Sequence, residues 1–210
     1  VSAPGVTLQN MVIEGNLTLT EGVGEGDAFF KKVTVNGTTT IQGGGENSIH
    51  FEDSVLVRIS IDKKTGTVRV VAVGSSTIKT VVVNSPVKLE ESAVTDSGFA
   101  NVEISKSLPA GSEVQLKGTF EDVQVLTSDV KISIPSGTVK KLDVADGAKN
   151  TEIELNAEAI ILDLVLNAVA KILGEGTVEK AIISEEAKES SFAKQPKTVE
   201  GSGAPEVTQT

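Results

Sequence analysis

The sequence predicts an all-β fold, a right-handed parallel β-helix (β-solenoid) of about nine coils. Three observations predict it: apolar triplets recur along the chain, a second alternating stretch follows many of them, and turn-forming residues separate these segments. A repeat of about 20 residues cannot bury its apolar side chains alone, whereas stacked coils bury them in one continuous core. A β-sandwich also has short strands separated by turns, but it does not explain the repeat.

The triplets place apolar residues at relative positions 0, +3 and +5, and their first residues recur every 17 to 27 positions. Ser54 makes the third triplet imperfect. The longest interval is explained by a hairpin-type excursion at residues 62–66, which leads into a strand at 68–73. The nine triplets are Leu8-Met11-Ile13, Phe30-Val33-Val35, Phe51-Ser54-Leu56, Ile78-Val81-Val83, Phe99-Val102-Ile104, Phe120-Val123-Val125, Val139-Leu142-Val144, Ile161-Leu164-Leu166 and Val178-Ala181-Ile183.

Stacked coils bring equivalent triplet positions together, so we predict ladders of side chains along the core. The alternating stretches have period two, which directs apolar residues to one face of a strand and polar residues to the other. Examples of these stretches are Leu17-Thr18-Leu19, Val87-Lys88-Leu89, Val114-Gln115-Leu116 and Ile132-Ser133-Ile134. The predicted ladders are Val33, Val81, Val102 and Val123 in one column, and Val35, Val83, Ile104 and Val125 in another.

The C-terminal part of the chain contains a local conflict. Residues 157–173 are rich in strong helix formers, but the repeat places them in strands, and we follow the repeat. Ser184-Glu185-Glu186 is expected to begin a short capping helix, because serine is a good N-cap and acids favour the first turn. We predict a solenoid module over residues 1–196 and a flexible linker over residues 197–210.

The composition excludes several classes of protein. Asp and Glu number 29 against 19 Lys and Arg, a net charge of −10 that disfavours nucleic acid and anionic membranes as partners. There is no cysteine and only one histidine, His50, so thiolate chemistry, zinc sites and hydrolase triads are not expected. Adjacent acids on a strand face opposite ways and do not form the facing carboxylates of a glycosidase. We therefore predict that the chain is not an enzyme.

Neither a signal peptide nor an apolar run of transmembrane length is present in this sequence. The abrupt beginning at Val1 is typical of a domain excised from a longer protein. We expect a secreted or cell-surface bacterial protein, with catalytic and other domains in the same polypeptide.

Oxygen-bearing side chains at position +2 of the triplets indicate a calcium site. Asn101 and Asp122 belong to consecutive coils and would lie one strand spacing apart, where backbone carbonyls and water could complete the ligands. Asp27, Glu46 and Asn47, near early corners, form a second candidate cluster. The alternative interpretation of all these residues is a solvated outer face that keeps the solenoid soluble.

Asn36-Gly37 is the only Asn-Gly pair in the chain. The ordinary role of such a pair is a turn. Because glycine gives little steric shielding, a succinimide can form at Asn36, or the side-chain amide can attack the Asn36 carbonyl and cut the backbone. We predict slow self-cleavage or deamidation after Asn36.

Three segments carry a resemblance to a known family. Gly5–Asn16 (GVTLQNMVIEGN), Leu17–Gly26 and Val33–Gly45 resemble β-helical segments of surface-layer-associated proteins from Gram-positive spore formers. Within this group the chain most resembles the family 54 carbohydrate-binding module, which stands beside the catalytic domain of large bacterial laminarinases. The resemblance extends from Gly5 to about Phe192. It implies a right-handed β-helix, calcium binding and attachment to insoluble polysaccharides.

Together the resemblance and the repeated outer surface predict a non-catalytic module that attaches a secreted glycoside hydrolase to insoluble β-glucan, xylan or chitin. Trp and Tyr are absent, and of the aromatic candidates Phe29, Phe30 and Phe192 we expect Phe30 to face inward. Binding should therefore depend on polar rows about 4.8 Å apart. The alternative function is a rigid structural spacer or adhesin of a bacterial cell-surface protein. The predicted contact residues are Thr18, Thr38, Thr40, Lys88, Gln115 and Ser133.

Overall fold

The chain folds as the predicted parallel β-solenoid, with about nine turns and 62% of its residues in strands. The computed structural model describes residues 1–46 and 49–204. Every strand pair in these ranges is parallel, as coils stacked in one direction require. The strands are β1 (Val6–Ile13), β2 (Leu17–Leu19), β3 (Ala28–Ile41), β4 (Ile49–Glu52), β5 (Val55–Ile61), β6 (Val68–Gly74), β7 (Thr77–Val83), β8 (Val87–Val94), β9 (Gly98–Ile104), β10 (Glu113–Val125), β11 (Lys131–Val144), β12 (Thr151–Leu166), β13 (Ala170–Gly174), β14 (Thr177–Ile183), β15 (Ser191–Phe192) and β16 (Thr198–Glu200).

Each coil contributes strands to two faces of the solenoid. The first face contains β4, β6, β8, β13 and β15, together with the leading halves of β1, β3, β10, β11 and β12. The second face contains β2, β5, β7, β9, β14 and β16, together with the trailing halves of the same long strands. The long strands cross the corner between the faces, and therefore all the strands belong to one sheet.

Apolar side chains form rows along the core, one residue from each coil. Most of the predicted ladders are confirmed: Val81–Val102–Val123 and Val83–Ile104–Val125 are register partners on β7, β9 and β10. All six side chains are at most 1% exposed. Two pairs of phenylalanine rings also stack in the core, Phe30 on Phe51 with centroids 4.9 Å apart and Phe99 on Phe120 at 5.9 Å.

The first member of each predicted ladder is wrong. Val35 pairs with Leu56, in the row that contains the first residue of each later triplet. The position expected for Val33 is occupied by Thr39, which pairs with Ile59. The reason is an extra residue at the bend of the second coil: Val35 and Thr39 are four positions apart, whereas Leu56 and Ile59 are three apart. The first three triplets therefore lie one corner earlier in the coil than the later six.

The same one-corner shift of the early triplets accounts for the longest interval between triplets, and the excursion predicted at residues 62–66 is not needed to explain it. β6 pairs in parallel with β4 and β8, so it is an ordinary strand of the first face and not part of a hairpin. With Leu56 as the anchor, the next coil begins 22 residues later at Ile78. That interval is close to those of the neighbouring coils.

Serine hydroxyls fill the tight corner between the two faces, where the triplet pattern led us to expect an apolar side chain. Ser54 and Ser76 are fully buried. Ser54 Oγ accepts from the Val33 amide at 3.1 Å and donates to the Glu52 carbonyl at 2.8 Å. Ser76 Oγ accepts from the Ser54 amide at 3.2 Å and donates to the Val73 carbonyl at 2.7 Å. The hydroxyls thus satisfy backbone groups that the sheet leaves unpaired at this corner.

The C-terminal coils follow the repeat and not the helix propensity of their residues. β12 and β13 cover most of residues 157–173, as the register predicted. The expected capping helix is instead one 3-10 turn, Glu185–Ala187, and the Ser184 side chain makes no capping hydrogen bond. β16 pairs with β14, and the sheet therefore continues into the segment that we predicted to be a linker from residue 197.

Candidate functional site

Half of the predicted contact residues form one continuous row on the first face. Lys88 on β8 pairs with Gln115 on β10, and Gln115 pairs with Ser133 on β11. Their strand neighbours, such as Val87 and Val114, are fully buried, so the polar side chains project outward. The row therefore offers an ammonium, an amide and a hydroxyl at intervals of about 4.8 Å.

A groove lies beside this row. Its volume is about 260 Å³, and Lys88 and Gln115 both line it. Lys88 Nζ forms an exposed ion pair with Glu46 Oε1 at 3.0 Å. A larger cavity of about 610 Å³ lies at the C-terminal end of the solenoid, beside Phe192 and Val199 and away from the row. The remaining residues that line the groove are Thr67, Val87 and Glu113.

The other predicted contact residues lie on the second face. Thr18 on β2 pairs with Thr40 on β3, and Thr38 belongs to the row that continues to Arg58. The six residues therefore do not form one site. An extended ligand on one face cannot contact both groups at once, because the solenoid core lies between the faces.

The first face also carries an outward aromatic pair. The rings of Phe29 and His50 stack with centroids 5.0 Å apart and planes 15° from parallel. Both side chains are half-buried, and Phe29 pairs with His50 in the β3–β4 register. Each residue precedes the anchor of a triplet, and this equivalence is the sequence signal that predicts their stacking.

Ion pairs surround the aromatic pair on the same face. Lys31 Nζ lies 3.1 Å from Glu52 Oε2, and Arg69 Nη2 lies 2.8 Å from Glu90 Oε2. Burial alone would raise the pKa of Glu90, but hydrogen bonds from Arg69 and Lys117 outweigh it and hold this pKa below its usual value. Glu90 is therefore an anion at neutral pH, and the face presents fixed charges of both signs.

The structure places the predicted calcium ligands Asn101 and Asp122 side by side, as register partners on β9 and β10. The next residue in the row is Lys141, whose Nζ is 4.0 Å from Asp122 Oδ2. Asn101 Nδ2 donates to the Lys79 carbonyl at 2.9 Å. The Lys141 ammonium repels any cation that approaches Asp122, the only carboxylate of the pair. This lysine occupies position +2 of the seventh triplet, so the sequence already indicated it.

The second predicted calcium cluster lies partly outside the described residues. Asp27 precedes β3, while Glu46 pairs with Lys88, and Asn47 lies outside the described residues. Within residues 1–46 and 49–204 there is no group of three or more His, Asp or Glu side chains arranged to hold a metal. Calcium binding stays a prediction.

Asn36 and Gly37 lie at the bend of β3, where the second coil carries its extra residue. Asn36 Nδ2 donates to Glu14 Oε2 at 2.7 Å, and the Gly37 amide donates to the Gly15 carbonyl at 3.1 Å. A Cβ on residue 37 would lie 2.5 Å from the Gly15 carbonyl oxygen, which belongs to the backbone and cannot move aside, so only glycine fits here. Glu14, the acid beside the Asn36 amide, was not predicted, because its contact depends on the bulged register of the first two coils.

Fold and surfaces together define the chain as a parallel β-solenoid module with polar rows on its outer faces. No protein-family model and no curated protein matches it. Among solved structures it is similar to part of the chitinase ChiW from Paenibacillus sp. strain FPU-7, a cell-surface-expressed, multi-modular bacterial enzyme. The identity is 38% and the TM-score 0.71, over 72% of this chain.

The chain corresponds to only 14% of the length of ChiW. The similar region is therefore one part of a much longer, multi-modular protein. The similarity does not distinguish the family 54 module from other modules of this kind. In the part of the chain that the structure describes, none of the helical segments has the length and hydrophobicity of a membrane span.

Proposed function

We propose that the chain is a non-catalytic carbohydrate-binding module, of the family 54 type, that attaches a larger cell-surface or secreted glycoside hydrolase to insoluble polysaccharide. The observation that carries the proposal is the row Lys88–Gln115–Ser133 beside its groove. A polymer with a repeating unit can make similar weak contacts at successive coils, and linked contacts reinforce one another.

Individual contacts in such a row are weak. A hydroxyl or amide hydrogen bond to a sugar contributes about 1 kcal/mol net in water. Short oligosaccharides should therefore bind poorly, while an insoluble polymer that spans several coils retains the protein. The similarity to part of a cell-surface chitinase supports a place for such a module in a polysaccharide-degrading enzyme.

A pull-down on insoluble β-glucan, xylan, chitin and cellulose tests the proposal, with a reducing-sugar assay on the same samples. We expect retention on at least one polymer and no release of reducing sugar. Retention on none of them would leave a rigid spacer or adhesin as the better function. Release of reducing sugar would overturn the non-catalytic assignment.

The two faces can be distinguished by paired variants. The double variant Lys88→Ala/Gln115→Ala removes the middle of the row on the first face, and we expect weaker retention. The matched control is Thr18→Ala/Thr40→Ala, which removes two outward side chains from the second face. If only the control variant loses retention, the binding surface lies on the second face.

A further inference from the structure

We propose that the stacked rings of Phe29 and His50 form a subsite that stacks a neutral pyranose ring, an inference that rests on the proposed polysaccharide binding. The two rings face outward, since their strand neighbours Ala28, Phe30, Ile49 and Phe51 are all 0% exposed. Core packing therefore does not require aromatic residues at these positions. Their separation of 5.0 Å follows from the strand spacing of about 4.8 Å.

The aromatic pair belongs to an apolar stripe. In register, Thr7 precedes Phe29, and Val71 follows His50. Thr7 is exposed and has no ring, so the side of Phe29 toward the first coil is covered only by a short side chain. Val71 lies in the outward row but is only 3% exposed, so the stripe ends at a buried apolar side chain.

Polar groups border this stripe on the same strands. A pyranose has an apolar C–H surface with hydroxyls around its edge, and binding sites for such ligands combine apolar contact with a few fixed polar groups. Lys31 and Glu52 lie two residues beyond Phe29 and His50 on their strands and form an ion pair of 3.1 Å. The outward row of the stripe itself continues from Val71 to Glu90, which forms ion pairs with Arg69 and Lys117.

The occupant is a neutral sugar because of charge. The chain has a net charge of −10, and the cations Lys31 and Arg69 beside the stripe are both paired with carboxylates, which disfavours an anionic sugar. The stripe also lies on the same face as the Lys88–Gln115–Ser133 row, one column of outward residues away. One polymer chain can therefore lie across both features.

Variants at residue 29 separate the contribution of the aromatic ring to binding from that of apolar volume. Phe29→Leu keeps an apolar side chain and removes the ring, whereas Phe29→Tyr keeps the ring. We expect Phe29→Leu to weaken retention on the polymer that binds the wild type by about fivefold, and Phe29→Tyr to retain it. Phe192→Leu, at the C-terminal end, is the control for loss of a half-exposed ring elsewhere.

His50 gives an independent measurement, because it is the only histidine in the chain and its ring protons are unique in an NMR spectrum. These signals should shift on titration with a soluble fragment of the retained polymer. The subsite would be overturned, and the proposed function left intact, if the polymer retains the wild type but the His50 signals do not change and Phe29→Leu binds as well as the wild type. A wild type that no polymer retains would overturn both.

Discussion

The side-chain amide of Asn36 and the carboxylate of Glu14 lie 2.7 Å apart (Nδ2 to Oε2) on adjacent coils. An acceptor at this position can take a proton from Nδ2 as the nitrogen attacks the Asn36 carbonyl carbon. That attack closes a cyclic imide on Asn36, breaks the Asn36–Gly37 bond and leaves a new amino terminus at Gly37. The competing deamidation needs the Gly37 amide nitrogen as nucleophile, and this group is bonded to the Gly15 carbonyl at 3.1 Å.

We therefore expect slow backbone cleavage after Asn36 to exceed deamidation in the folded protein. Mass spectrometry of protease-free protein during prolonged warm storage measures both products. Glu14→Gln should slow cleavage, because it replaces the carboxylate with a much weaker proton acceptor. An intact and unmodified wild-type mass at the end of storage would dismiss the prediction, and deamidation without cleavage would assign the chemistry to the unfolded chain.

Replacement of Val102 with Asp should unfold the domain, because Val102 is 1% exposed in the middle of a core row. A buried carboxylate without a partner costs several kcal/mol, a large part of the stability of a domain. Thermal melting followed by circular dichroism measures the effect. Thr80→Asp, at a half-exposed position on the preceding coil whose register partners are Arg58 and Asn101, adds the same group near the surface and should melt like the wild type. A wild-type melting temperature for Val102→Asp would contradict the core register.

Thr39→Val should stabilise the protein. Thr39 is 0% exposed in a core row, and its Oγ1 has no hydrogen-bond partner among the described residues. Valine has nearly the same shape without the unpaired hydroxyl, so the free energy of unfolding should rise by about 1 kcal/mol. Thr40→Val, on the outward side of the same strand, is the control and should change stability little. A lower melting temperature for Thr39→Val would mean that its hydroxyl has a partner.

Glu91 should make the protein less stable as the pH rises through the weakly acidic range. Burial raises the pKa of Glu91, against hydrogen bonds from the backbone amides of Thr119 and Phe99. A raised pKa in the folded state means that stability is complete below the unfolded pKa, at about 4.3, and is lost as pH rises through the folded pKa. Glu91→Gln cannot titrate. The stability of the wild type relative to this variant should therefore fall with rising pH, whereas a constant difference would contradict the prediction.

Calcium should raise the melting temperature if an ion binds the folded state preferentially. Melting in calcium and in chelator measures this effect. Asp122→Asn and Asp27→Asn then identify which predicted cluster is responsible. Lys141→Gln should strengthen a site at Asp122, because it removes the ammonium at 4.0 Å. Identical curves for the wild type in calcium and in chelator would reject a structural ion.

Apolar periodicity was sufficient to predict the parallel coils, because the inward positions of a solenoid are occupied mainly by apolar residues that recur at similar intervals. The row from Val81 to Val123 could be predicted for this reason. The register of the early coils could not, because the extra residue before Thr39 and the serine at position 54 disturb the spacing without changing the fold. Side-chain pairing on the outer faces was harder still, since it depends on that register and on the identity of a single neighbour, as with Lys141 beside Asp122.

The segments that join the second face to the next coil differ in length while the rows on either side keep their order. Residues 84–86 make this connection between β7 and β8, and residues 105–112 make it between β9 and β10. The longer connection leaves the hydrogen-bonded ladder unchanged: its Leu108 packs into the core, while residues 106–107 and 109–111 are exposed at one edge of the rod. That edge is where evolution can lengthen the chain at little thermodynamic cost, and where an engineer can graft a foreign peptide.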